Sequence, residues 1–296
     1  MLLISVDVIK KIDVFENNDV YGVTKLQNRI YVLCHKREIF VFEDRNEFCS
    51  KNEIKIEEIK EPGNIGSSEK EICLYVSEPK EKRIWKIIPE ADEQYTLIKW
   101  LTTDHEPSNF SVSGDGRLLV VSQLSSILMI YGPEAELISF IQLPTDMQAP
   151  RQVVETLTGH FIILHKWFDE WRSGERMWVV SELARDGEMV IRRFIPSNKK
   201  QMLRNPYNIS IDSEDRVFVT DSGKDRVVLL DFYFKVSRII CKTKEDAEDE
   251  EAKESSASIQ VFKPWPLHYD TENNQLIVGG NFNLRCALDI YSLNRL

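Results

Sequence analysis

One layout of short strands and polar turns is written six times along these 296 residues, and a chain built that way has few folds open to it. The clearest copy spans Pro206–Asp231: a short alternating strand, a polar turn, an apolar strand, a second polar turn and a third strand. Lys235–Cys241 follows as a fourth. Pro107–Val121 aligns with its first part without gaps, followed by Ile127–Tyr131 and Glu136–Leu143. Pro62 leads to Ile72–Val76, Arg83–Ile88 and Gln94–Leu101; Pro150 leads to Phe161–Leu164, Met177–Ser181 and Met189–Ile195. Asp19 opens a unit with Ile30–Leu33, Ile39–Phe42 and a fourth strand at Ile54–Ile59, and Pro264 opens one with Leu276–Val278 and Ala287–Tyr291.

The six anchors, at 19, 62, 107, 150, 206 and 264, lie 43, 45, 43, 56 and 58 residues apart, the length of a four-stranded propeller blade. No long segment carries a 3.6-residue apolar period, so a helical fold is excluded. The expectation is one all-β domain, a six-bladed β-propeller of four-stranded antiparallel blades at about 19–61, 62–105, 106–148, 149–204, 205–242 and 263–296. The last unit runs out after its third strand, and residues 2–12 are expected to supply the fourth, closing the ring. Residues 243–258, acidic and without a large apolar side chain, read as a disordered loop between the fifth and sixth blades.

The fifth unit, at Arg216–Val228, resembles the NHL repeat, with Asp221 after the second strand and Arg226 just before the third. The third unit has Ser122 where that Asp would stand, and the others keep only the strand and turn layout. The resemblance implies a six-bladed recognition platform of the kind found in TRIM-like scaffold proteins, without their RING, B-box and coiled-coil part. The pair Asp221 and Arg226 is read as an ion pair that stabilises its turn.

Four units carry an amide two residues after the anchor proline: Asn64, Asn109, Gln152 and Asn208. Strand alternation sets Asn208, Ser210 and Asp212 against Ile209 and Ile211, so the polar set is expected to face the channel. Amides both donate and accept, which suits a peptide backbone or a neutral polar ligand; they also suit neighbouring backbone groups. In the fourth unit a long insert, His165–Arg176, carries Trp167, Phe168, Trp171 and Arg172, the residue types that dominate recognition hot spots. Trp265, at the start of the last unit, extends the same surface.

These features point to a non-catalytic propeller scaffold that binds a protein or peptide on its loop-rich face and channel mouth, as a monomer and without a cofactor. A metal-dependent lactonase or esterase of the six-bladed type is the alternative, with Asn109, Asn208 and Asp212 as oxygen ligands for a divalent cation. Glu155 is the nearest further carboxylate, His160 and His268 are isolated, and no nucleophile elbow, Walker loop or HExxH occurs. An RNA-binding NHL-type propeller is the second alternative, resting on Lys199, Lys200 and Arg204. A net charge of −10 opposes it, because phosphate neutralisation supplies most nucleic-acid affinity. The five cysteines (Cys34, Cys49, Cys73, Cys241 and Cys286) form no CxxC or zinc spacing, and Cys34 and Cys286 sit in apolar runs. No basic, apolar leader and no apolar run of about 20 residues is present, which leads to the expectation of a cytoplasmic protein away from membranes.

Overall fold

In the computed structural model the described residues are 4–16, 19–35, 37–43, 51–90, 94–168, 176–241, 263–282 and 285–295. They form 24 strands in six four-stranded antiparallel sheets, the blades of a six-bladed β-propeller. The first blade is β2 (Val20–Leu26), β3 (Arg29–Cys34), β4 (Glu38–Glu43) and β5 (Lys51–Lys55). The second is β6 (Ile65–Ser68), β7 (Cys73–Glu78), β8 (Arg83–Pro89) and β9 (Tyr95–Thr102). The third is β10 (Asn109–Val112), β11 (Leu118–Ser122), β12 (Ile127–Tyr131) and β13 (Leu137–Gln142). The fourth is β14 (Met147–Glu155), β15 (Phe161–Phe168), β16 (Arg176–Leu183) and β17 (Val190–Arg193). The fifth is β18 (Pro206–Ile211), β19 (Val217–Asp221), β20 (Arg226–Leu230) and β21 (Val236–Cys241). The last contains β22 (Leu267–Asp270), β23 (Gln275–Phe282) and β24 (Arg285–Arg295), and β1 (Ile4–Glu16) joins it as the outer strand. The register of that pairing runs from Ile4 opposite Arg295 to Glu16 opposite Arg285, so the N-terminal strand completes the sixth sheet as the repeat arithmetic implied.

Two compact units divide the chain: Tyr21–Ile195 with the first four blades, and Met1–Val20 with Pro196–Leu296, which hold the last two. Within each, the apolar cores lie between successive blades. Leu33, Ile39 and Ile54 of the first blade pack with Ile65, Leu74 and Trp85 of the second. Tyr75 and Ile84 meet Phe110 and Val120; Val121, Leu128 and Ile141 meet Met147, Val153 and Phe161. In the other unit Phe218, Val227 and Leu229 pack with Leu267, Tyr269 and Leu276. This layering explains why the second and third strands are apolar without alternation: each is buried on both faces. Cys34 and Cys73 are buried there and carry no disulfide.

Three boundaries differ from the sequence reading. The outer strand of the first blade is Lys51–Lys55, earlier than Ile54–Ile59: the Ile56 amide still meets the Arg37 carbonyl one step beyond the Glu38–Lys55 pair, and Ile59 then closes a turn onto Ile56. In the insert of the fourth blade β15 runs on through Phe168 and β16 starts at Arg176, with Trp167 opposite Met177 and Phe168 opposite Arg176, while residues 169–175 lie outside the described residues. The N-terminal strand reaches Glu16 rather than ending at Ile12. The acidic stretch 243–258 lies outside the described residues.

Candidate functional site

The amides of the second, third and fourth blades come together in one buried network. Asn64 Nδ2 donates to Asn109 Oδ1 and, at 3.1 Å, to the Phe110 carbonyl; Gln152 Nε2 donates to the same carbonyl at 3.2 Å. Asn109 Oδ1 also accepts the Phe110 amide at 2.9 Å. These side chains therefore tie three inner strands to one another. The Gln152 Oε1 and Ser111 Oγ atoms beside them are buried without a hydrogen-bond partner.

Behind the amides stands a device the sequence reading missed. The Asn64 backbone N–H donates to Ser77 Oγ at 3.0 Å, and the Asn208 N–H donates to Thr220 Oγ1 at the same distance. Each hydroxyl follows the last apolar residue of its blade's second strand, as does Ser122, so the pairs Val76-Ser77, Val121-Ser122 and Val219-Thr220 were a readable signal. Thr220 Oγ1 also lies 3.1 Å from the Trp265 carbonyl, linking the fifth blade to the start of the sixth. Trp265 itself packs on Tyr207, ring centres 4.4 Å apart. Asn208 is buried and its Oδ1 has no hydrogen-bond partner.

The acidic residue next along does more than stabilise a turn. Asp221, fully buried, pairs with Arg226 Nε at 3.1 Å and accepts the Arg204 and Asn205 amides at 3.0 and 2.9 Å. Arg226 spends its other donors on the Lys200 and Met202 carbonyls, at 2.7 and 2.9 Å. The pair thus pins the segment that leads into the blade. Glu78 plays the same part in the second blade, accepting the Lys60 amide at 2.8 Å and the Trp85 indole N–H at 2.8 Å. Lys60 and Arg204 each stand two residues ahead of their anchor proline.

The hairpin of β15 and β16 leaves the fourth blade at the end where β14 starts, since Met147 and Gln148 of β14 pair with Trp167 and Lys166. Trp167 is partly buried, with the Arg193 guanidinium 4.8 Å from its ring centre. Trp178, which the sequence reading did not single out, is buried between Arg151 at 4.1 Å and Lys166 at 5.2 Å. Phe168 is partly exposed, and Arg176 opposite it is exposed. Trp171 and Arg172 lie outside the described residues. At the root of the hairpin His165 is fully buried: its Nδ1–H donates to the Lys166 carbonyl at 2.9 Å and its Nε2 accepts the Ser181 hydroxyl at 2.8 Å. Burial pulls its pKa from 6.5 down to about 4.

Of the residues weighed as cation ligands, Asn109 and Asp212 have their oxygens engaged, whereas Asn208 Oδ1 has no hydrogen-bond partner. Asp212 accepts the Glu214 and Arg216 amides at 2.9 and 3.0 Å and pairs with Arg216, closing the turn after β18. Glu155 receives Arg117 Nη2 on both oxygens at 2.9 Å. His160 Nδ1 lies 2.7 Å from Glu182. Among the described residues no three His, Cys, Asp or Glu side chains are placed to share one metal ion. Lys199, Lys200 and Arg204 are exposed on the segment that Arg226 holds. No helix of the described residues is long and apolar enough to cross a membrane.

No protein-family model and no curated protein matches the chain. Solved structures do. Virginiamycin B lyase from Staphylococcus aureus is 9% identical, with 97% of this chain and 99% of that one covered at a TM-score of 0.61. Hydrazine synthase of Kuenenia stuttgartiensis is 13% identical over 96% of this chain and 97% of that one, at 0.62. The WD40 propeller domain of Doa1 is 10% identical over 98% and 97%, at 0.63. At such identities the likeness shows the fold alone, a β-propeller spanning nearly the whole chain.

Proposed function

We propose that this chain is a non-catalytic protein- or peptide-binding propeller of the NHL type, acting in the cytoplasm, and that its partner docks on the β15–β16 hairpin and the adjoining starts of the inner strands. The observation that carries the reading is the hairpin itself. Eight-residue strands hold Trp167, Phe168 and Arg176 in paired positions. Aromatic residues on a stiff hairpin give contact area at low entropic cost, which is how interface anchors work. The Asn64, Asn109 and Gln152 network supports it by fixing the floor beside the hairpin. The solved neighbours include a lyase, a synthase and a WD40 domain, so kinship of fold does not choose among functions.

The test is affinity capture from cell extract with the native chain and with a Trp167→Ala/Trp171→Ala variant, quantified by mass spectrometry. Partners held by this face drop out in the variant. Identical recovery by both forms removes the hairpin from partner binding.

A further inference from the structure

Each of the six sheets leaves its outer strand unpaired on one side among the described residues: β5, β9, β13, β17, β21 and β1. An unpaired edge invites a further strand, and natural sheets deter this with charged residues, lysine above all. Five of the six edges follow that rule, with Lys51 and Lys55 on β5, Lys99 on β9, Arg192 and Arg193 on β17, Arg238 on β21, and Lys10 and Lys11 on β1. The strand β13 runs Leu137, Ile138, Ser139, Phe140, Ile141, Gln142, without one charge. Leu137, Ile138 and Phe140 are 53, 52 and 51 % exposed, and no other described strand sets out more than one exposed large hydrophobic residue. A register shift falls at Ile138, after which Ser139–Gln142 pair regularly with Ile130–Ile127.

Along the chain, the charge flanking this strand has one sign. From Gly132 to Asp146 there is no Lys or Arg, while Glu134 and Glu136 stand in the turn that leads into the strand. Glu136 closes that turn by accepting the Glu134 amide at 3.1 Å, and Glu134 is exposed. Asp146 at the other end is already paired with Arg193 at 2.8 Å.

We infer that the β13 edge is a strand-addition site for an extended peptide in which apolar residues alternate with basic ones. Its main chain continues the ladder, its apolar side chains cover Leu137 and Phe140, and its cations meet Glu134 and Glu136. A second copy of this chain is the poorer occupant: β13 brings no cation to either glutamate, and two molecules of net charge −10 repel. The site lies on a different strand from the β15–β16 hairpin and does not depend on that hairpin's role.

Fluorescence anisotropy tests this with a labelled octapeptide alternating Lys and Val, in about 0.15 M salt to suppress diffuse attraction. The same peptide N-methylated at alternate amides keeps its charge and loses its ladder. Saturable binding is expected, weaker by at least about tenfold for the methylated peptide and for the Phe140→Lys variant, and reduced by Glu134→Lys. Equal binding of both peptides, unchanged binding by Phe140→Lys, or no binding overturns the inference. So does a dimer of the unliganded chain in sedimentation velocity that Phe140→Lys dissolves, which would give the edge to a second copy.

Discussion

His165 shows how a single buried side chain makes this fold sensitive to acid. Its ring is neutral, with Nδ1–H on the Lys166 carbonyl and Nε2 on Ser181, whose oxygen also accepts Arg193 Nε at 2.9 Å. A proton on Nε2 would face a hydroxyl already held by a guanidinium. The unfolded chain binds that proton near pH 6.5 and the folded chain only near 4. Stability is therefore full above pH 6.5 and falls as pH drops toward 4, by up to ~3 kcal/mol for this one group. Urea denaturation between pH 7 and 4 should show this slope reduced by about one proton in His165→Asn. Equal slopes would relieve His165 of that part.

Elements tell a second story in the fourth blade, where the turn between β16 and β17 bears on its neighbour. Gly187 there has φ +81°, and a Cβ on it would stand 2.2 Å from Ile141 Cγ2 of β13. Gly187→Ala is expected to lower stability by ~1–3 kcal/mol, through both the left-handed backbone and the clash, read as a fall in melting temperature. What the sequence made legible follows the same local logic. Strand number, blade order and the closing strand were readable because turn residues and apolar runs recur at a fixed spacing. The reach of β15 into the insert went unread because Trp167 and Phe168 pair with Met177 and Arg176 across a gap that no local pattern marks. Of the candidate site, the amides Asn64, Asn109 and Gln152 were found by position, but their joining on the Phe110 carbonyl depends on contacts some 40 residues apart. Trp178 and Glu78 went unnoticed because their partners, Arg151 and Lys60, lie on other segments.

On the scale of the whole molecule, the sixth sheet depends on both termini of this sequence. Without β1, strand β24 would present a bare edge eleven residues long. Removing residues 1–16 is expected to give a chain that aggregates and unfolds over a broad range, seen by light scattering and calorimetry; a sharp transition near the native one would show the closure to be dispensable. The same pairing also governs timing. Ile4 is made long before Arg295 and must wait for it before it finds its place. The earlier blades are made of neighbours in sequence and can fold as they appear, whereas this last register closes a loop nearly as long as the chain. Completion of this sheet thus waits on the synthesis of β24, and a product interrupted before it is left with β1 unmatched.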